Sequence, residues 1–188
     1  DYKLNFEKTD HTLELEADYN IFSNETLGKY VFSGASPLEN FADNDETDRN
    51  QLTVNLDYVN PLSESVKIEA GAEARLFETN IDYASNGKSY NANGELVPTP
   101  STRFEYVRDI YSLYATFGKN YEKWSYQLGA RVENVSVKAD TNKIRAFTND
   151  YFQVYPSAFV TYSPNEKNQY QLSYSRRVDR PGLDQVNP

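Results

Sequence analysis

The sequence contains no cysteine, which excludes disulfides, thiolate metal sites and cysteine nucleophiles. It has one histidine, His11, in a predicted turn, a poor place for the base of a catalytic triad. No apolar stretch approaches the roughly 18 residues that a membrane helix needs, and mean hydropathy is −0.77. There is no basic excess. The net charge of −9 argues against a nucleic-acid partner, which would require a basic stripe. The glycines form no phosphate-binding loop. Gly71, Gly118 and Gly129 fall inside alternating segments, where close packing or local bending is the usual reason for glycine.

What the chain does have is period-two alternation, which predicts strands. They are expected at about 2–8, 11–22, 50–60, 65–82, 104–118, 123–138, 152–163 and 169–178. In the second, Leu13, Leu15, Ala17, Tyr19 and Ile21 alternate with Glu14, Glu16, Asp18 and Asn20. The segment 65–82 is the longest expected strand. Pro156 suggests an edge-like irregularity or bulge in the seventh. No amphipathic helix is visible.

Connections alternate in length. Short turns lie around Thr9–His11, Asn60–Glu64, Lys119–Lys123 and Ser163–Asn168, and long polar loops at about 24–48, 84–103 and 139–151. A sheet with one short-turned and one long-looped end resembles an outer-membrane barrel wall. Several expected strands exceed the roughly 9–11 residues of a tilted membrane strand and would project beyond the bilayer. The 16 Tyr and 10 Phe fit aromatic girdles. Phe6, Tyr58, Phe117, Trp124, Tyr126, Tyr162 and Tyr170 gather near the short turns. Tyr19, Phe22, Phe77, Tyr83, Phe104, Tyr106 and Phe152 gather near the long loops.

Few residues suggest chemistry. The run Asp43–Asp48 could hold calcium, but it lacks the glycine and distal glutamate of an EF-hand and reads better as a solvated acidic loop. Asn24 and Asn134 begin glycosylation sequons, which short sequences match by chance. Glu14, Glu16 and Asp18 form a carboxylate row. It could serve acid–base work, or be a hydrated lumen face opposite basic strands. No catalytic, cofactor-binding or metal-binding residue is assigned, no cofactor is expected, and the protein is not expected to be an enzyme.

The stretch Tyr155–Tyr162, then Tyr170–Pro181 with its Tyr174-Ser175-Arg176-Arg177 and Arg180-Pro181, then Leu183 and Val186-Asn187-Pro188, resembles TonB-dependent-receptor-like barrels of the outer-membrane β-barrel family abundant in Bacteroidetes. Asp57–Leu62 and the strand after it are similar to the same family. The resemblance implies a barrel of about 22 strands with a plugged lumen and uptake of a nutrient or siderophore.

The expectation is therefore all-β. Residues 1–188 form a single β-barrel segment, an antiparallel meander of about eight strands, part of a longer chain and without a separate plug domain. Its expected location is the outer membrane of a Gram-negative bacterium. Expected partners are outer-membrane lipid, the remainder of the same barrel, and a surface lipoprotein or other envelope protein. Rival readings are a structural or adhesive outer-membrane surface protein and a soluble β-sheet binding module. Three further expectations concern side chains. Leu13, Leu15, Leu52, Val54, Leu56, Ile68, Ala70, Leu113, Leu128 and Ala130 should share one face. Arg176 should sit at the outer rim, and Arg177 should reach an internal acceptor.

Overall fold

The computed structural model describes residues 1–34, 39–180 and 182. It contains strands β1 (Tyr2–Asn5), β2 (Thr12–Tyr30), β3 (Phe41–Ser63), β4 (Val66–Ser85), β5 (Lys88–Tyr90), β6 (Leu96–Pro98), β7 (Thr102–Asn120), β8 (Trp124–Thr141), β9 (Ile144–Asn165) and β10 (Asn168–Ser175), and no helix among the described residues. Eight of them form one open sheet in the order β1-β2-β3-β4-β7-β8-β9-β10, while β5 and β6 form a separate hairpin. Every pairing is antiparallel. This is the expected meander, an unclosed section of barrel wall.

The long loops were expected to be longer than they are. β2 and β3 remain paired up to Tyr30↔Phe41, so most of 24–48 is strand. The segment 139–151 contains a hairpin turn at Asn142-Lys143, whose φ angles of 51° and 65° are those of a type I′ turn. Asn142 ties this turn to the start of β7, because its Oδ1 accepts the Arg103 N–H at 2.9 Å. The segment 84–103 holds the β5–β6 hairpin, anchored by Asn86 N–H to the Ala42 carbonyl at 3.2 Å. Over Asp43–Asp48 of β3 both faces are polar, so no alternation marks the strand there. For the same reason the longest strand is β3, with 23 residues, and not the one over 65–82.

Pro156 causes no bulge. It pairs with Ala130 in unbroken register, and the register shift between β8 and β9 lies at Ala139/Asp140. The Pro156 carbonyl accepts from Arg176 N–H at 3.1 Å. In an antiparallel strand a residue's N and C=O point to the same side. The missing donor of Pro156 therefore faces the terminating end of β10, where little ladder is lost.

The register also fixes the slant of the wall. One rung runs Thr12–Val59–Glu69–Thr116–Gly129–Ser157–Ser175. It starts at the first residue of β2 and ends at the last residue of β10. If the short turns share one rim, the ladder climbs about seven residues, roughly 23 Å, over six inter-strand steps spanning roughly 29 Å. That corresponds to a strand tilt of about 40°, within the range of membrane barrels.

Candidate functional site

The wall has two chemically distinct faces, and the pairing register assigns each side chain to one of them. One face carries Leu13, Leu15, Leu52, Val54, Leu56, Ile68, Ala70, Leu113, Leu128 and Ala130, as expected. It continues through Val132, Val154 and Ala158 to Leu172 and Tyr174. Its large apolar side chains lie open: Leu113 is 60% exposed, Leu128 56% and Leu172 76%. A continuous apolar surface of this size is not left bare to water. Above it the same face turns polar, at Asp109, Ser136 and Asp150 on one rung.

A row of aromatic rings closes this band at the short-turn end. Trp124 stacks on Tyr162 at 4.4 Å between centroids, and Tyr121 meets Tyr126 at 5.4 Å. Tyr170 pairs with Tyr162, and Phe117 with Leu128. Phe6 stacks on His11 at 4.0 Å and meets Tyr58 edge-on at 6.4 Å. His11 also shares a hydrogen bond between its Nε2 and the Tyr58 hydroxyl at 3.0 Å. The lone histidine thus helps to hold the hairpin turn within this girdle.

The second expected aromatic band divides between the faces. Tyr19 and Phe152 face outward. Phe22, Phe77, Tyr83, Phe104 and Tyr106 face inward. There Phe104, Tyr106, Ile110, Val135, Val137 and Ala139 form a buried cluster, with Phe77, Ile81, Phe147 and Tyr151 packed against it. The inner face is therefore apolar beyond the level of the band, where the outer face is polar.

Level with the band the inner face is polar and charge-paired. Arg75 donates to Glu73 at 3.0 Å, Glu73 accepts from Arg131 at 2.6 Å, and Arg131 donates to Glu133 at 2.7 Å. Glu133 is also paired with Arg180. This line of alternating charge crosses from β4 to β8 and takes in the segment after β10. Glu133 is 5% exposed, so removing either arginine would leave a buried charge short of partners. Beside it the Tyr114 ring lies over Gly71 and its hydroxyl donates to Asp57. A Cβ at position 71 would stand 2.5 Å from that ring and 2.7 Å from the Leu56 carbonyl oxygen, which confirms close packing as the reason for glycine there.

The arginines after β10 are rearranged relative to expectation. The strand ends at Ser175. Arg176 does not reach an outer rim: its Nη1 donates to the Val154 carbonyl at 3.1 Å, and its guanidinium lies 5.7 Å from the Tyr155 ring centroid. Arg180, not Arg177, makes the internal pair. Once the strand ends, side chains no longer alternate, so parity could not identify the inward arginine. Pro181, Leu183 and Val186–Pro188 lie outside the described residues.

The other candidates do not converge. Asp43–Asp48 lies in β3 rather than in a loop, with Asp43 and Asp45 on the inner face and Glu46 and Asp48 on the outer. Among the described residues no group of three His, Cys, Asp or Glu side chains could hold a metal ion. Asn24 and Asn134 are in strands β2 and β8. Glu14, Glu16 and Asp18 do share the inner face, but they lie opposite Asp57, Asn55 and Thr53 rather than a basic strand. Lys3 pairs with Glu14 at 2.8 Å.

A staggered meander, an open apolar band ringed by aromatics and a charged reverse face together describe a membrane barrel wall. The profile of the outer membrane protein beta-barrel family matches residues 4–188. The chain belongs to that family. Its members reside in the outer membrane, so the apolar face of this family member looks at lipid and the charged face at the barrel interior. No curated protein matches the sequence.

Proposed function

We propose that the barrel containing this wall takes up a nutrient or siderophore across the outer membrane, as a TonB-dependent-receptor-like protein. The observation that carries the reading is the Arg75–Glu73–Arg131–Glu133–Arg180 line on the lumen face. A paired, polar inner surface suits a water-filled passage more than a packed interior. The resemblance of Tyr174–Pro181 to that receptor type supports the same reading. No residue here is assigned a catalytic or cofactor role.

The lateral partner we propose is the remainder of the same barrel. β1 pairs with β2 only from Thr12 to Leu15, and β10 stops opposite Ser157 of β9. The edges of β2 and β9 beyond these points would otherwise expose unpaired backbone at membrane depth, which bilayers do not tolerate. The long projection of β2, β3 and β4 with the β5–β6 hairpin favours a second reading, in which this end recognises a surface partner such as an envelope lipoprotein.

The test is deletion of the gene in its host, followed by growth on limiting nutrient or iron and by uptake of labelled solute. Loss of growth and of energy-dependent accumulation, both restored by the intact gene, is the expected result. Unchanged growth and accumulation across the solutes tested would overturn uptake and leave the surface reading.

A further inference from the structure

Among the inward arginines, Arg108 is the exception. Arg75, Arg131 and Arg180 each hold a glutamate. Arg49 lies across the Phe22 ring at 5.5 Å and is open to water. Among the described residues Arg108 has no ion pair, and its Nε is buried with no hydrogen-bond partner. Its guanidinium lies over the face of Phe77, 5.4 Å from the ring centroid. A guanidinium carries five donors and no acceptor. Burying one of these donors unmatched is costly, so an acceptor that reached it would be bound favourably.

The space beside it fits that acceptor. A cavity of about 100 Å³ on the inner face is bordered by Arg108 and Arg180, by Asn149 and Tyr151, and by the rings of Tyr106 and Phe147. That is the liquid volume of roughly three waters, the scale of one carboxylate or phosphate group. Among the described residues no carboxylate lines it. Tyr151 accepts from Arg180 Nε at 3.3 Å and so keeps its own proton to donate. The Asn149 amide adds further donors. The aromatic walls lower the local dielectric and strengthen any charge-assisted bond formed there.

We propose that this pocket binds an oxyanion, a carboxylate or phosphate carried by a solute in the barrel lumen, with Arg108 as its principal ligand and Arg180, Asn149 and Tyr151 around it. The inference requires that this face line the lumen. It does not require transport, so growth assays and binding assays fail independently.

The test is isothermal titration of the full-length barrel in detergent with inorganic phosphate and, separately, with benzoate. Binding of one or both is expected, and which of them binds tells phosphate from carboxylate recognition. Arg108→Gln should weaken binding about tenfold or more, while Arg49→Gln, outside the pocket, should leave it unchanged. Should Arg108→Gln fail to fold, Asn149→Asp puts a negative charge into the pocket and should expel the same anion. Equal affinities for the native barrel and a folded Arg108→Gln, or for the native barrel and Asn149→Asp, would overturn the proposal. So would the absence of binding by either anion.

Discussion

A single missing Cβ shapes much of the lower lumen wall. Gly71 leaves the room in which the Tyr114 ring crosses β4 to reach Asp57 on β3. The obstacle to a side chain there is partly the Leu56 backbone oxygen, which cannot swing aside. Gly71→Val should therefore destabilise the barrel by about 1–3 kcal/mol, as overpacking does, read as a lower urea midpoint of the barrel in lipid vesicles. Tyr114→Phe keeps the ring and loses one hydrogen bond, so it should cost about 1 kcal/mol. A larger loss in Tyr114→Phe than in Gly71→Val would show that the hydroxyl, and not the space, matters most. Sequence alone marks Gly71 as a position of close packing or local bending but does not name its neighbour. That neighbour lies on a strand 43 positions away and is brought over by the register Gly71↔Tyr114.

Within each strand, alternation was enough to assign the faces, because lipid on one side and water on the other impose opposite demands on neighbouring residues. All ten apolar positions from Leu13 to Ala130 fell on one face for this reason. The same logic failed wherever the two sides became alike. Beyond the band β3 is polar on both faces from Asp43 to Asp48, so its sequence has the pattern of a loop. The turn at Asn142-Lys143 is not announced by the sequence, because it lacks the glycine that usually marks a type I′ turn. The lumen network was illegible in principle, since its members come from β4, β8 and the segment after β10. Two element-scale outcomes follow. Val54→Arg should cost roughly 2–4 kcal/mol of stability in lipid, whereas Thr53→Arg, one residue along and facing the lumen, should stay within about 0.5 kcal/mol. Equal losses would mean that the two faces do not differ in solvent. Asn142→Val places a β-branched residue at a φ of 51° and should cost about 1–2 kcal/mol, seen as faster unfolding.

For the whole wall, the lack of cysteine becomes a tool. This segment contributes no thiol of its own, so a single thiol introduced into it reports its side of the membrane once any cysteine elsewhere in the barrel is replaced. Asn93→Cys in the β5–β6 hairpin should react with an impermeant maleimide on intact cells. Glu122→Cys in the short turn between β7 and β8 should react only after the outer membrane is opened. The reverse pattern would invert the orientation, with the short turns outside. The slant of the wall gives an independent check. The rung from Thr12 to Ser175 implies a tilt of about 40°, a property of the ladder and not of any side chain. With that tilt, the outward apolar positions from Phe152 to Val160 span about 27 Å of strand and about 21 Å of height. The Trp124–Tyr162 pair then lies one rung nearer the short turns, at the edge of a band about 25 Å tall. Polarised infrared spectra of the full-length barrel in oriented bilayers measure this angle. A value near 40° is expected. A value below about 25° would make the strands too upright for that stagger and would mean that the short turns do not share one rim.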